Sequence, residues 1–509
     1  MGKQEVIWLV IAIYAVFMLA VGILNSKSAT SVADFTVGKR NAGGWITALS
    51  YGTAYFSAVM FIGYSGGSGW NYGLWSILPG IGNAVFGSLL AWLVLAKRTR
   101  ETTRRLKIKS MPQFFEKRYN SQPMKLFVCL VIFVFLLPYS ASVYKGLTSV
   151  CSVLLGVDEK VCMIIIAVAS AVVLVLGGYL ATLKADFVQG FVMMVGVAAL
   201  IVAVVVSPQV GGLQTGWNNM MEYMKNHEMM PLSPQNHVAL WATVLMTSFG
   251  TWGLPQMIHK FYGIKDDREV RRGTVVSTFF AFLVAGGGYF IGSLSHLFFG
   301  DQLPQGGKDY LVPNMLNMAN LPNILIGVVL VLLISASVST LSSITLTACS
   351  TLSMDLIKAR LKKDLSGESM GILTRILCLV FVAASYLVAN TDTPILELMS
   401  YSWGIISGSF LAPFLLALYW KGINRAGAWA GMTGGFAVAA LPVIAKLFAN
   451  GWQAPFGLGE MMNQGPLFAC LAMVLSIVLC VVGSVVASGC KARCAEPNEY
   501  FYTGTVEQE

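Results

Sequence analysis

Eight hydroxyl residues fall within thirteen positions of this 509-residue chain: Ser335, Ser337, Ser339, Thr340, Ser342, Ser343, Thr345 and Thr347. Ser339, Ser342 and Ser343 stand at i, i+3 and i+4 and therefore share one helical face. Such a face in an apolar stretch has two uses. The hydroxyls bond back to their own helix or across to a neighbour, or their oxygens gather around a hard cation such as sodium. Asp186 is the second clue. It opens another apolar stretch after the short connection 182–185, and a carboxylate within a membrane helix is costly. It is either a helix-entry acid facing the interface beside Lys184, or an oxygen ligand and counter-charge for a cation. Lys145, after Tyr139 and Tyr144, either snorkels outward or faces a cavity and pairs with an anionic solute. His227, His237, His259 and His296 are scattered and form no ligand set. There is no Ser-His-Asp set, Walker loop or metalloprotease motif. No catalytic residue, resident metal or organic cofactor is expected, and the chain does not read as an enzyme.

The elements that must position these groups are membrane helices. Apolar residues make up 56% of the chain and charged residues only 11%, against about 25% in soluble domains. The apolar residues come in blocks long enough to cross about 30 Å of hydrocarbon as helices. This excludes a soluble enzyme, a nucleic-acid binder and a disordered scaffold, and the long unbroken blocks exclude a transmembrane barrel. The fold class is an all-α polytopic membrane protein. Thirteen spans are predicted, at 5–24, 43–66, 73–96, 126–154, 160–181, 185–207, 237–258, 274–298, 322–352, 371–390, 395–419, 427–449 and 466–489. The first reads as a retained span and not as a cleaved leader.

The net charge of +10 belongs to the loops. With the N-terminus outside, the inner segments hold Lys27, Lys39 and Arg40, ten cations between positions 97 and 125, and Lys184. They also hold five cations from Lys260 to Arg272, five from Lys358 to Arg375, Lys421 and Arg425, and Lys491 and Arg493. That is 28 of the 34 Lys and Arg, which sets the N-terminus outside and the C-terminus in the cytoplasm. The nine cysteines lie mostly in apolar spans as small hydrophobes; Cys151 and Cys162 flank one loop, but a disulfide between them is not expected. The tail 491–509 reads as a short disordered cytoplasmic segment, too short for an output domain.

Two spans are interrupted. The second carries Ser50-Tyr51-Gly52-Thr53-Ala54-Tyr55-Phe56-Ser57-Ala58, then Gly63, Gly66, Gly67 and Gly69. The seventh carries Thr247-Ser248-Phe249-Gly250-Thr251-Trp252-Gly253-Leu254-Pro255. They lie five spans apart and so have opposite orientations. Broken helices at matching places in two inverted halves point to a binding site near the membrane midplane. Close packing through small residues is the alternative use of the same residues.

These motifs resemble the bacterial sodium/solute symporter family. The resemblance covers roughly residues 5–450. It rests most specifically on the 53–63 segment, on Gly177-Gly178-Tyr179-Leu180 with Asp186-Phe187-Val188-Gln189, and on Ser339-Thr340-Leu341-Ser342-Ser343. Tyr401-Ser402-Trp403 and the 420–427 loop add to it. It implies a five-plus-five inverted-repeat core of the leucine-transporter kind. The divisions are then a leading helix and first loop (1–41), a first repeat (42–208), an outer loop (209–236), a second repeat (237–420), two trailing helices (421–490) and the tail (491–509). The resemblance implies a first sodium site made by the carbonyls of Thr53, Phe56 and Ala336 and the hydroxyls of Ser339 and Thr340. It implies a second, found in some members, at Asp186, Ser339, Ser342 and Ser343. Sodium is then the coupling ion and the bilayer the setting, with no nucleic acid or obligate protein partner expected.

The solute residues match the family less closely. Sugar-carrying members have Glu-Gln where this chain has Val59-Met60, which argues against a sugar. Proline symporters carry Asp at the position of Tyr55, and aromatic residues at Thr247 and Thr251. Phe249-Gly250-x-x-Gly253-Leu254-Pro255 is similar to the pantothenate branch, and Ser400-Tyr401-Ser402-Trp403 to the proline branch. The expected solute is a small carboxylate or amino-acid-like molecule. Its cavity is expected at Ser57, Met60, Tyr139, Thr251, Trp252 and Trp403. The alternatives are a proton-coupled carrier of the same fold, in which Asp186 titrates, and a non-transporting sensor or a channel.

Overall fold

The computed structural model describes residues 3–26, 40–176, 179–319, 321–357, 367–448, 464–490 and 500–503, and these residues are predominantly helical. Gly177 and Gly178 of the family-like motif lie outside them. The leading helix is α1 (Lys3–Ser26). The second span breaks into α2 (Gly44–Tyr55) and, after a π-helical turn at Met60–Ser65, α3 (Gly66–Tyr72). Short helical turns then run from Gly73 to Arg105. The long helices α4 (Gln122–Leu155), α5 (Glu159–Leu176) and α6 (Tyr179–Val206) follow.

The seventh span breaks into α7 (Pro234–Phe249) and α8 (Pro255–Tyr262), joined by a 3-10 turn at Gly250–Gly253. After α9 (Asp267–Ala281) come α10 (Asn323–Thr351), α11 (Gly367–Ala389), α12 (Ile395–Tyr419), α13 (Arg425–Phe448) and α14 (Gly465–Gly489). Helices lie over each of the thirteen predicted stretches. Among the described residues, nine helical stretches are long and apolar enough to cross a membrane.

Both breaks have local causes. At the second, Pro255 forces Leu254 out of the helical region, to φ −75° and ψ 122°, and then starts α8 at a position that needs no N–H. At the first, Phe56 is extended at φ −105° and ψ 115°. Ser57 restarts the helix: its carbonyl accepts from the Met60 N–H at 3.1 Å and its hydroxyl from the Val59 N–H at 3.3 Å.

Around the breaks, α10 packs against α1, α2, α4 and α6, and α2 also packs on α6 and α9. Small residues allow the closest approach. A Cβ on Gly69 would fall 1.8 Å from the carbonyl oxygen of Gly292, and one on Gly292 would fall 2.1 Å from that of Ser65. In lipid, van der Waals contact between backbones is a main source of helix association.

The end of the chain differs from the sequence expectation. Tyr500–Thr503 forms a helical turn, α15, docked on the protein. Phe501 is buried, Arg105 donates to the carbonyls of Phe501 and Tyr502, and the Tyr502 hydroxyl donates to the Ala417 carbonyl at 2.8 Å. The composition of the tail is polar on average, but two aromatic rings suffice to anchor this turn. Cys151 and Cys162 both remain free thiols.

Candidate cation and solute site

The hydroxyl face of α10 meets the break in the second span. Thr340 Oγ1 lies 2.9 Å from the Thr53 carbonyl and 3.0 Å from the Ala336 carbonyl. Two of the carbonyls expected around a first sodium are thus within hydrogen-bonding distance of the Thr340 hydroxyl. The fourth group, Phe56, is the extended residue at the break itself. The fifth, Ser339, is one residue before Thr340, but its hydroxyl donates to Asp186 Oδ1 at 2.6 Å. All five residues are buried.

Asp186 is fully buried, so the interfacial reading beside Lys184 does not hold. Its Oδ1 accepts from Ser339, and its Oδ2 accepts from the Ser50 hydroxyl and from Lys260 Nζ, the last at 3.1 Å. Lys260 Nζ also donates to Ser50 Oγ at 2.7 Å and to Ser343 Oγ at 3.2 Å. Ser342, on the preceding residue of α10, is 7% exposed.

Lys260 is not the inner-loop charge expected from the sequence: it is 3% exposed and lies on α8, within the interrupted seventh span. The predicted end of that span at 258 hid it. The apolar residues Phe261, Tyr262 and Ile264 that follow are the signal that the span continues.

The residues expected around the solute do not form one group. Trp403 lies edge-on to Tyr139 with centroids 5.6 Å apart, and 6.0 Å from Tyr55, which stacks on Phe56 at 4.1 Å. The Tyr139 hydroxyl reaches the Ala54 carbonyl at 3.4 Å, directly beside the first break. The Trp403 indole N–H is buried without a hydrogen-bond partner, and its ring lies over Gly250, where a Cβ would meet Cε3 at 3.1 Å. Met60 Sδ faces Gly288.

Trp252 belongs elsewhere: its N–H donates to the Phe86 carbonyl at 3.0 Å, and its ring joins Phe249 and Phe86. The Ser57 hydroxyl accepts from the Val59 N–H; Thr251 Oγ1 donates to the Ser248 carbonyl at 2.9 Å and meets the side chains of Tyr51 and Tyr55. Tyr55 and Gly250 were not among the residues expected to line the cavity; their signal was their place on the two breaks.

The Lys145 ammonium donates to the carbonyls of Thr391 and Thr393, at 2.6 and 2.9 Å, in the turn before α12. His227 and His296, scattered in sequence, both stack on Tyr223, with ring centroids 3.9 and 4.6 Å away. They line a separate recess of about 570 Å³ with Asp301. There the Tyr223 hydroxyl, and then the charge of His227, hold the Asp301 carboxyl below its ordinary range.

Two broken helices pack against a long hydroxyl-bearing helix, an arrangement that transporters use to build a binding site near the membrane midplane. The model of the Sodium:solute symporter family matches residues 35–435, and the chain belongs to that family. It is 26% identical over 434 residues to the osmoregulated proline transporter OpuE of Bacillus subtilis, covering 84% of this chain and 86% of that one. It is 28% identical over 432 residues to the high-affinity proline transporter PutP of the same organism, covering 82% and 88%. A solved Na+-coupled sialic acid symporter, in a substrate-bound outward-open state, superposes with a TM-score of 0.74 at 17% identity, over 94% of this chain and 97% of that one. The chain is a multi-pass membrane protein and a sodium-coupled symporter of a small organic solute.

Proposed function

We propose that this symporter imports a small carboxylate or amino-acid-like solute, with proline the first compound to test, across a bacterial inner membrane. The observation that carries the coupling reading is the meeting of Thr340 Oγ1 with the Thr53 carbonyl where the second span breaks. Thr53, Phe56, Ala336, Ser339 and Thr340 are assigned to the coupling sodium. A cation held there draws α10 and the broken second span together and favours one arrangement of the helices. A ligand moves such an equilibrium only through its different affinity for the two states.

The solute is assigned to Tyr139, Trp403, Met60 and Tyr55, beside Ser57 and Thr251. The buried, unpartnered indole N–H of Trp403 supports a polar solute, because a buried donor left unmet is costly. The two relatives named as proline transporters support an amino-acid-like one. The proposed frame has thirteen crossings, an outer N-terminus, a cytoplasmic C-terminus and the two repeats at 42–208 and 237–420.

The test is uptake into proteoliposomes under an inward sodium gradient, with potassium replacing sodium as control. The panel is proline, pantothenate, short monocarboxylates, sialic acid and galactose. Sodium-dependent accumulation of proline, pantothenate or a monocarboxylate is expected. Accumulation of galactose or sialic acid alone overturns the solute class. Uptake driven by a proton gradient and indifferent to sodium overturns the coupling ion.

A further inference from the structure

We propose that the ammonium of Lys260 occupies the position of a second coupling cation, so that this symporter binds and moves one sodium per cycle and not two. The inference rests on the reading of the first sodium site given above and departs from the second site that the family resemblance implied.

Asp186, Ser339, Ser342 and Ser343 are the residues expected around a second sodium. Ser339 donates to the buried Asp186 carboxylate, and Ser343 accepts from the ammonium paired with that carboxylate. What stands among them is a cation that the chain itself supplies. Lys260 Nζ lies 3.1 Å from Asp186 Oδ2, 3.2 Å from Ser343 Oγ and 2.7 Å from Ser50 Oγ. An ammonium is a compact point charge with three donors and no acceptor, and these three oxygens are its acceptors.

The charge count is decisive. One carboxylate and one ammonium make a neutral buried pair. A sodium ion added beside them would share the single negative charge of Asp186 with a second cation held on the same oxygens. Among the described contacts Asp186 is the acid that meets Lys260, and it is also hydrogen-bonded to Ser50 and Ser339. The residues present therefore suit a tethered ammonium and do not suit a second sodium.

The position of the pair also says what the tethered cation does. Ser50 is on α2 and Lys260 on α8, the inner halves of the two broken helices, while Asp186 is on α6 and Ser339 and Ser343 are on α10. The pair ties four helices, two from each half. Ser339 belongs to both assignments: its hydroxyl donates to Asp186 in this arrangement and is one of the ligands assigned to the first sodium. Lys260 is thus a positioning residue that sets how Asp186 and Ser339 present themselves to the ion that is transported.

The test is equilibrium binding of radioactive sodium to the purified full-length protein in detergent. One sodium per chain is expected, and Thr340→Ala should remove it. In Lys260→Gln, which takes away the charge and keeps a polar side chain, a second sodium is expected and the Hill coefficient of sodium activation should rise from about 1 toward 2. Two sodium ions on the unaltered protein would overturn this inference and leave the first-site reading intact. No sodium on the unaltered protein would overturn the first-site reading and this one with it. A folded Lys260→Gln protein that still binds a single sodium would overturn the claim that lysine stands in a cation site. Should Lys260→Gln fail to fold, the sodium count of the unaltered protein decides: one per chain supports the proposal and two overturn it.

Discussion

Thr340 Oγ1 on α10 lies 2.9 Å from the carbonyl oxygen of Thr53, at the last turn of α2 before the second span breaks. A hydroxyl from one repeat thereby meets a backbone oxygen at the interrupted helix of the other, where the loss of helical geometry frees carbonyls to turn toward a cation.

Thr340→Ala removes that oxygen. Its loss is of the order of one hydrogen bond, about 1–1.5 kcal/mol, which corresponds to roughly a tenfold rise in the sodium concentration for half-maximal uptake. Thr340→Ser, which keeps the hydroxyl, should stay close to the unaltered protein. Sodium activation curves for the two variants, measured side by side, check this. Equal curves would remove Thr340 from the site.

The pair of Asp186 and Lys260 should behave as a buried charge couple. Asp186→Asn leaves the Lys260 ammonium without its counter-charge, and breaking such a pair costs about 3–5 kcal/mol. The double variant Asp186→Asn/Lys260→Met removes both charges and should recover much of that loss. Thermal unfolding of the four proteins in detergent closes the cycle. Additive losses would mean that the two groups do not interact.

One sodium per cycle limits how far a neutral solute can be concentrated. Each charge crossing 100 mV is worth about 2.3 kcal/mol, which at 1.4 kcal/mol per decade supports about fortyfold accumulation. Two charges would support more than a thousandfold by the same arithmetic. Steady-state accumulation at a fixed diffusion potential, with equal sodium on both sides, separates these outcomes.

Gly69 and Gly292 should tolerate no side chain. A Cβ on Gly69 would lie 1.8 Å from the carbonyl oxygen of Gly292, and the obstacle is backbone, which cannot swing aside. Gly69→Ala should lower stability by about 1–3 kcal/mol through overpacking, seen as a lower unfolding temperature and less folded protein. Gly67→Ala is the control, since nothing lies within 4 Å of a Cβ there.

The docked C-terminal turn makes the last prediction. The Tyr502 hydroxyl donates to the Ala417 carbonyl and accepts from the buried Arg118 guanidinium at 3.0 Å. Tyr502→Phe should cost about 1 kcal/mol, because Arg118 loses one of its acceptors while keeping the Ile423 carbonyl at 2.9 Å. Deleting 500–509 should cost more, since the buried Phe501 ring leaves as well. Unfolding temperatures of both variants unchanged from the full chain would mean that the turn carries no stability.

Much of this molecule is written locally. Hydropathy in blocks determines that the chain enters a membrane as helices, because each helix satisfies its own backbone hydrogen bonds there. Pro255 determines the second break on its own, through the conformational limit it places on Leu254. The spacing of Ser339, Ser342 and Ser343 determines that three hydroxyls share a face. What each of these groups meets is not local. Lys260 and Asp186 are 74 positions apart and become partners only because α8, α6 and α10 pack together. Trp252 and Trp403 looked alike as candidates, and packing sent one to Phe86 and the other to Tyr139. Periodicity and composition report which side of a helix avoids water. They carry no information about which of several similar faces lies opposite it, and that choice, made by tertiary packing, turned a loop charge into a buried cation beside Asp186.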